Sequence, residues 1–160
     1  APVWMSDVNS FEDAIEMINQ LGIVLSKEQV CLKLVDELKV AYSELKNLGK
    51  NLAVLYFIWD KPAFVAGRAT FIDSIIQILG FNNIAHLERY PDIDALGDCE
   101  PHYVFLSSEP FPFEAKHLQK YQSRFPSAKI ILVDGEMFSW YGSRMLLAAD
   151  YFQNKLKEML

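Results

Sequence analysis

Residues 129–144, KIILVDGEMFSWYGSR, pass from an apolar run into a turn that carries acidic residues, three aromatic residues and an arginine. The run KIILV predicts a strand that is buried on both faces, like the central strands of a parallel sheet. In open α/β sheets, ligands bind in the crevice beyond the carboxyl ends of the strands. We therefore expect Phe138, Trp140 and Tyr141 to stand at the rim of a ligand-binding cleft.

A second stretch, LAVLYFIWDKPAFVAGRATF at residues 52–71, has the same organisation. Its apolar start predicts a strand over residues 52–58, and a loop follows this strand. The loop carries Trp59, Lys61, Phe64 and Arg68. Large rings bury much area with few rotatable bonds, so two such loops at one crevice favour a bulky, partly apolar ligand that is anionic or a metal chelate.

Strands and helices alternate along the chain from residue 49 onward. The predicted elements are strands over 52–58, 84–87, 102–106 and 129–133, and helices over 70–79, 113–124 and 143–159. This alternation predicts an α/β fold in three layers, with a mostly parallel sheet and helices on both faces. The closing helix should pack on the sheet through the apolar stripe Met145, Ala148, Ala149, Phe152, Leu156 and Met159.

Two helices are expected before the sheet begins. The first is capped at Asn9 or Ser10 and should end at Gly22. The second runs from Ser26 to about Leu48, because no proline or glycine interrupts this segment. It carries the apolar stripe Cys31, Leu34, Val35, Leu38, Ala41, Tyr42, Leu45 and Leu48. We therefore expect one long helix ahead of the α/β region.

The composition is that of one globular domain, and it excludes several classes of function. With 160 residues and a net charge of −6, the chain lacks the basic surface that nucleic acid requires. Its glycines form no phosphate-binding motif, and its three histidines and two cysteines lack metal-ligand spacing. No apolar run is long enough to span a membrane, and the first residues do not form a secretory signal. We expect no cofactor and no metal site.

Five stretches of the chain, taken in order, resemble a known family. They are WDKPAFVAGRATF (59–71), LGFNNI (79–84), RYP (89–91), SSEPFPF (107–113) and VDGEMFSWYGSR (133–144). Together they resemble the helical-backbone substrate-binding proteins of ABC importers, which deliver cobalamin, haem and ferric siderophores. In that family, two α/β lobes are joined by one rigid helix, and the ligand lies in a shallow cleft between the lobes.

The resemblance implies a division of this chain into three parts. Residues 49–160 look like the carboxyl-terminal lobe, residues 26–48 like the connecting helix, and residues 1–25 like a remnant of the amino-terminal lobe. We therefore expect a fragment of a two-lobed protein, which would expose part of the stripe from Cys31 to Leu48 and self-associate through it.

The resemblance also implies a function and a set of binding residues. The chain would be a periplasmic or cell-surface solute-binding component that delivers a metal chelate to an ABC permease. The cleft positions carried over from the family are Trp59, Lys61, Phe64, Arg68, Glu136, Trp140, Tyr141 and Arg144. Asp92 or Asp94 would dock on the permease.

Two other functions remain open from the sequence. One is an α/β enzyme domain that acts on a small anionic substrate and uses Glu136 and Lys61 as acid and base. The other is an interaction domain whose aromatic rim binds a protein partner. A binding protein needs neither a nucleophile nor a cofactor-binding motif, and this agrees best with the motifs that the chain lacks.

Overall fold

The structure is a computed structural model that describes residues 3–160. Its centre is a sheet of four parallel strands in the order β2-β1-β3-β4. The strands are β1 (Ala53–Phe57), β2 (Asn82–Asn83), β3 (Tyr103–Ser107) and β4 (Lys129–Val133). The α/β class and the parallel sheet are therefore confirmed.

Helices lie before, between and after the strands. They are α1 (Phe11–Val24), α2 (Glu28–Ser43), α3 (Phe71–Ile78), α4 (Ala115–Arg124), α5 (Gly135–Ser139) and α6 (Arg144–Tyr151). A short 3-10 helix (Ile93–Leu96) precedes β3. After α6, the closing helix continues through a π-helical segment (Phe152–Leu156) into a last turn, α7 (Lys157–Met159).

The sheet separates two hydrophobic cores, as the three-layer prediction requires. Successive side chains of a strand point to opposite faces, so Val54 and Tyr56 of β1 enter one core while Leu55 and Phe57 enter the other. The first core also receives α1, α2, α3 and the closing helix, whose predicted stripe is buried or half-buried there. The second core is closed by α4 and the 3-10 helix.

The long helix predicted over residues 26–48 is shorter in the structure. Helix α2 ends at Ser43, and tighter turns follow, in which the Leu45 N–H donates to the Tyr42 carbonyl at 3.2 Å and the Leu48 N–H to the Leu45 carbonyl at 3.1 Å. Leu45 is nevertheless buried. The apolar spacing thus continues beyond the helix because the turns also face the core. A prediction based on this spacing alone therefore placed the end of the helix too late.

Helix α1 continues past Gly22, where the sequence suggested its end. A Cβ at Gly22 would lie 3.0 Å from the Cβ of Cys31 and 3.3 Å from the Cα of Glu28. The glycine therefore permits a close approach of α1 and α2, which are joined by the short turn 25–27.

The exposure predicted for part of the stripe from Cys31 to Leu48 is limited in the structure. Val35, Leu38, Tyr42 and Leu45 are buried in the first core, and the remaining members of the stripe are half-buried against it. Helix α1 and the closing helix cover this face, as the ring of Phe11, whose centroid lies 4.8 Å from that of Tyr42, illustrates.

Two strand predictions need correction. The short strand is Asn82–Asn83 instead of 84–87, because pairing with β1 stops where Ile84 and Ala85 turn into the second core. Strand β4 has the predicted bounds but is not buried on both faces. It forms an edge of the sheet, where Lys129 is exposed and Ile130 and Leu132 are half-buried.

Candidate ligand-binding face

Three loops meet at the carboxyl edge of the sheet. We call them the first loop (58–69, after β1), the middle loop (108–114, after β3) and the last loop (134–143, after β4). Because β3 lies between β1 and β4, the middle loop joins the other two. The Phe111 N–H donates to the Ile58 carbonyl at 3.3 Å, and the Trp140 indole Nε1–H donates to Glu109 Oε1 at 2.8 Å. The three loops form what we call the ligand face.

The first loop presents an aromatic ring and a cation. Trp59 is 40% exposed, and its ring meets that of Phe111 edge to face, with 5.7 Å between centroids. Lys61 is exposed, and Phe64 is half-buried. The Phe64 carbonyl accepts from the Ile58 N–H at 3.0 Å, which folds the loop back onto the end of β1.

Asp60 anchors this loop to α4. Its side chain is nearly buried and accepts hydrogen bonds from Lys120 Nζ and, at 3.0 Å, from Tyr121 Oη. Burial raises the pKa of Asp60, but these two hydrogen bonds and the Lys120 charge outweigh it and hold the pKa below its usual value. The anchor fixes Trp59 and Lys61, its two neighbours in sequence.

The last loop and the start of α6 bring three of the predicted binding residues together. Helix α5 begins after Asp134, whose carboxylate accepts from the Glu136 N–H at 3.1 Å. Glu136 forms an ion pair with Arg144, and the Arg144 guanidinium lies over the Trp140 ring, 4.9 Å from its centroid. Trp140 remains 48% exposed. One side of the ring is therefore occupied by a cation whose charge is already paired.

Glu109 in the middle loop holds the edge of this ring. Besides the Trp140 indole, its Oε1 accepts from the Ser139 hydroxyl at 3.1 Å. The Ser107 hydroxyl donates to the Glu109 carbonyl at 2.6 Å and itself accepts from Tyr56 Oη at 3.0 Å, deep in the core. The middle loop is thus fixed from below by a buried chain of hydrogen bonds.

Gly135 lets the middle and last loops touch. A Cβ at this position would overlap Ser107 Oγ and would lie 2.6 Å from the Cγ of Glu109. The Gly135 N–H also donates to the Ser108 hydroxyl at 2.9 Å. A larger residue would push the start of α5 away from Glu109.

Tyr141 and Arg68 lie toward the β2 side of the face. Tyr141 is 44% exposed and packs edge to face on Phe71, with centroids 5.6 Å apart. Tyr141 and Phe71 line a pocket of about 260 Å³. Arg89 also lines this pocket and donates to Asn9 Oδ1 at 3.1 Å. The exposed Arg68 pairs through its backbone with the segment around Glu88.

Phe138 does not stand at the cleft rim, although the sequence placed it there. It is fully buried and packs on Tyr56 and Phe152, with ring centroids 5.0 and 4.8 Å away. The reason is helix α5, which the sequence did not reveal and which turns Phe138 inward while Trp140 follows its end.

The two candidate docking acids occupy different settings. Asp92 is half-buried, and its carboxylate caps the 3-10 helix by accepting from the Asp94 N–H at 2.9 Å. Asp94 has a side chain that is 77% exposed and forms an ion pair with Arg124. Asp94 is therefore the more accessible of the two.

Other parts of the chain offer weaker candidates. Two pockets of about 500 and 450 Å³ lie at the opposite edge of the sheet, beside Tyr103 and His102 respectively. Within residues 3–160, no group of three or more His, Cys, Asp or Glu side chains is placed to hold a metal ion. No helix in this range is long and apolar enough to cross a membrane.

The ligand face has the kinds of groups that a binding surface for a bulky ligand needs. It offers exposed rings that can stack on a flat or bulky ligand, with charged groups at their edges. Glu136, proposed from the sequence as an acid or base, is held by Arg144. Glu109 and Phe111 belong to the face but were missed. Like the other two loops, the middle loop places an acid and an aromatic residue directly after a strand, and this shared pattern could have identified Glu109 and Phe111.

Comparison with solved structures gives the class of protein that has this fold. No family model matches the chain, and no curated protein matches it. Many solved structures do, and the chain shares its fold with iron-, haem- and vitamin B12-binding solute-binding proteins of the helical-backbone type. The resemblance inferred from the five sequence stretches is thereby confirmed for the fold.

Three of these structures illustrate the likeness. A possible iron-binding (periplasmic solute-binding) protein from Staphylococcus epidermidis is 18% identical, with a TM-score of 0.78 over 98% of this chain and 65% of that one. The periplasmic vitamin B12 binding protein BtuF of Vibrio cholerae is 15% identical, with a TM-score of 0.75 over 98% and 65%. IsdE of S. aureus, in complex with heme, is 16% identical, with a TM-score of 0.78 over 99% and 68%. The chain thus spans about two thirds of the length of these proteins.

Proposed function

We propose that the chain is part of a solute-binding component of an ABC importer and that its ligand face binds a metal chelate: a ferric siderophore, cobalamin or haem. The observation that carries this proposal is the grouping of two half-exposed tryptophans, Trp59 and Trp140, on loops that the middle loop links together. The fold shared with iron-, haem- and B12-binding proteins supports the same function.

We also propose the roles of the remaining binding residues. Lys61 is the exposed cation nearest to Trp59 in sequence, and Tyr141 widens the aromatic surface on the side of Phe71. Phe64 and Arg68 would contribute at the ends of the first loop. Glu136 and Arg144 would act mainly by supporting Trp140, because each already has a partner in the other.

The proposed organisation follows that of the two-lobed proteins. Residues 49–160 would correspond to the carboxyl-terminal lobe, residues 26–48 to the connector and residues 1–25 to the end of the amino-terminal lobe. Delivery would occur outside the cytoplasmic membrane, in the periplasm or at the cell surface. Docking on the permease would use Asp94, whose exposed ion pair with Arg124 contributes little stability and can exchange for a permease arginine.

The visible absorption spectrum of the complete two-lobed solute-binding component, purified from its own host, is the test of this function. Each candidate chelate is coloured, so we expect an absorption band of a corrinoid, a haem or a ferric complex that disappears on denaturation and dialysis. A colourless protein that also binds none of these chelates when they are added would contradict the proposal. Recovery of a protein partner in the same preparation would then favour the interaction domain.

A further inference from the structure

We propose that the ligand face selects a chelate of neutral or positive charge over polyanionic chelates, and that Glu109 sets this preference. The inference rests on the proposed function and deepens it. It starts from the charges that surround Trp140, the most exposed of the rings on the three loops.

The cation beside Trp140 is not free for a ligand. Arg144 lies over the ring, but its charge is neutralised by Glu136. Glu109 adds a second carboxylate at the ring edge, through the Trp140 indole hydrogen bond of 2.8 Å. Two carboxylates and one guanidinium leave one negative charge around the ring.

No cation within residues 3–160 forms an ion pair with Glu109. Within residues 3–160, its hydrogen-bond donors are the neutral Ser139 hydroxyl and the Trp140 indole, which donate to the carboxylate, and the Ser107 hydroxyl, which donates to the backbone carbonyl. The exposed cations of the first loop are Lys61 and Arg68, and neither forms an ion pair with Glu109, while Lys120 of α4 is paired with Asp60. The cations of the ligand face would therefore neutralise only part of the charge of a polyanionic chelate.

The charge of the whole chain acts in the same direction. With 15 basic and 21 acidic residues, its net charge is −6, and such a field slows the approach of anions and favours cations. Glu109 differs from the other acids in being fixed at the ring by the buried Tyr56–Ser107 hydrogen bond and by the close approach of Gly135. It is the acid that a ligand stacked on Trp140 would touch.

A series of probes of different charge tests the inference. Dissociation constants are measured by equilibrium dialysis for ferrioxamine B (cationic), ferrichrome and cyanocobalamin (neutral), and haemin and ferric enterobactin (anionic). We expect the cationic or neutral probes to bind roughly tenfold or more tightly than the anionic ones. Glu109→Gln keeps an oxygen that accepts from the Trp140 indole but removes the charge. The ratio of the dissociation constant of an anionic probe to that of a cationic or neutral probe should therefore shrink by roughly three- to tenfold.

Two controls separate this effect from a structural one. Glu158→Gln removes the same charge at the exposed far end of the closing helix and should leave the ratio unchanged. The thermal midpoint of Glu109→Gln should stay within a few degrees of that of the parent chain.

The outcomes distinguish this inference from the proposed function. Tightest binding of an anionic probe, or an unchanged ratio in Glu109→Gln, would overturn the charge preference and leave the binding function standing. Binding of none of the five probes would overturn both.

Discussion

At the scale of single residues, the ligand face depends on a few side chains that touch no ligand themselves. Asp60 is one of them, because its nearly buried carboxylate ties the first loop to Lys120 and Tyr121 of α4. Gly135 is another, because only the absence of a side chain lets α5 approach Glu109. Each residue leads to a prediction about stability.

Replacing Asp60 by Asn should lower the free energy of unfolding by about 1–3 kcal/mol at neutral pH, since the charged hydrogen bond with Lys120 is lost. The folded-state pKa of Asp60 lies below the usual 3.8. Its contribution is therefore complete above about pH 5 and disappears as the pH falls through the folded pKa. Urea denaturation from pH 7 to pH 3 should show the parent and the variant converging. A difference that does not depend on pH, or one equalled by the exposed control Asp36→Asn, would contradict this account.

Replacing Gly135 by Ala separates two opposing effects. Helix propensity alone predicts stabilisation of up to about 1 kcal/mol in α5. The overlap of the new Cβ with Ser107 Oγ and Glu109 predicts a loss of about 1–3 kcal/mol instead, and we expect this loss to prevail. Chemical denaturation shows whether the free energy of unfolding of Gly135→Ala is higher or lower than that of the parent chain. Gly22→Ala is the control, because the new Cβ would have no contact shorter than 3.0 Å, and it should lower the free energy of unfolding by less than Gly135→Ala does. If Gly135→Ala raised the free energy of unfolding, the middle and last loops would not be in close contact.

At the scale of elements, the sequence predicts best where an apolar run ends in a clear signal. The bounds of β4 were correct, and α3 begins after Thr70, whose hydroxyl accepts from the Asp73 N–H at 3.1 Å. The two-residue strand β2 could not be predicted because both residues are asparagines at a sheet edge. Helix α5 was hidden because its first residue is a glycine that is needed for packing, not for a turn.

The α1–α2 hairpin is part of the same core as the sheet, and this can be tested. Leu38 is fully buried there, so Leu38→Ala should lower the free energy of unfolding by about 2–5 kcal/mol. Val40 lies on the same helix but is 64% exposed, and Val40→Ala should change it by less than about 1 kcal/mol. A loss in Leu38→Ala as small as that in Val40→Ala, or a separate unfolding transition for the hairpin, would show that the hairpin is an independent unit.

At the scale of the whole molecule, the sequence predicted that Trp59 and Trp140 follow the ends of strands, but it did not predict the charge balance around them. Trp59 and Trp140 were identified because each follows a predicted strand. The pairing of Glu136 with Arg144 and the role of Glu109 depend on which strands are neighbours, and the strand order cannot be read from local patterns. The two ion-pair partners therefore looked like free binding groups in the sequence.

The length of the chain leads to a prediction about affinity. It spans about two thirds of the similar solute-binding proteins, so a ligand held between two lobes would here contact only one face. The chain should fold cooperatively on its own core but bind its chelate with a dissociation constant of roughly micromolar or weaker, since in the proposed two-lobed organisation the other lobe would supply about half of the surface that buries the ligand. Calorimetric titration with the five probes checks this, and submicromolar binding would show that this chain holds the whole site.

The central claim is that a metal chelate stacks on the rings of the ligand face, and titration of three tryptophan variants tests it most directly. Trp140→Ala and Trp59→Ala should each weaken binding of the preferred probe by roughly tenfold, because a well-buried ring contact contributes about 1–2 kcal/mol. Trp4→Ala is the matched control: Trp4 is equally exposed, at 40%, but its indole donates to Gln20 on α1 and it lies on none of the three loops. Unchanged affinity in both loop variants, or an equal loss in Trp4→Ala, would contradict the claim.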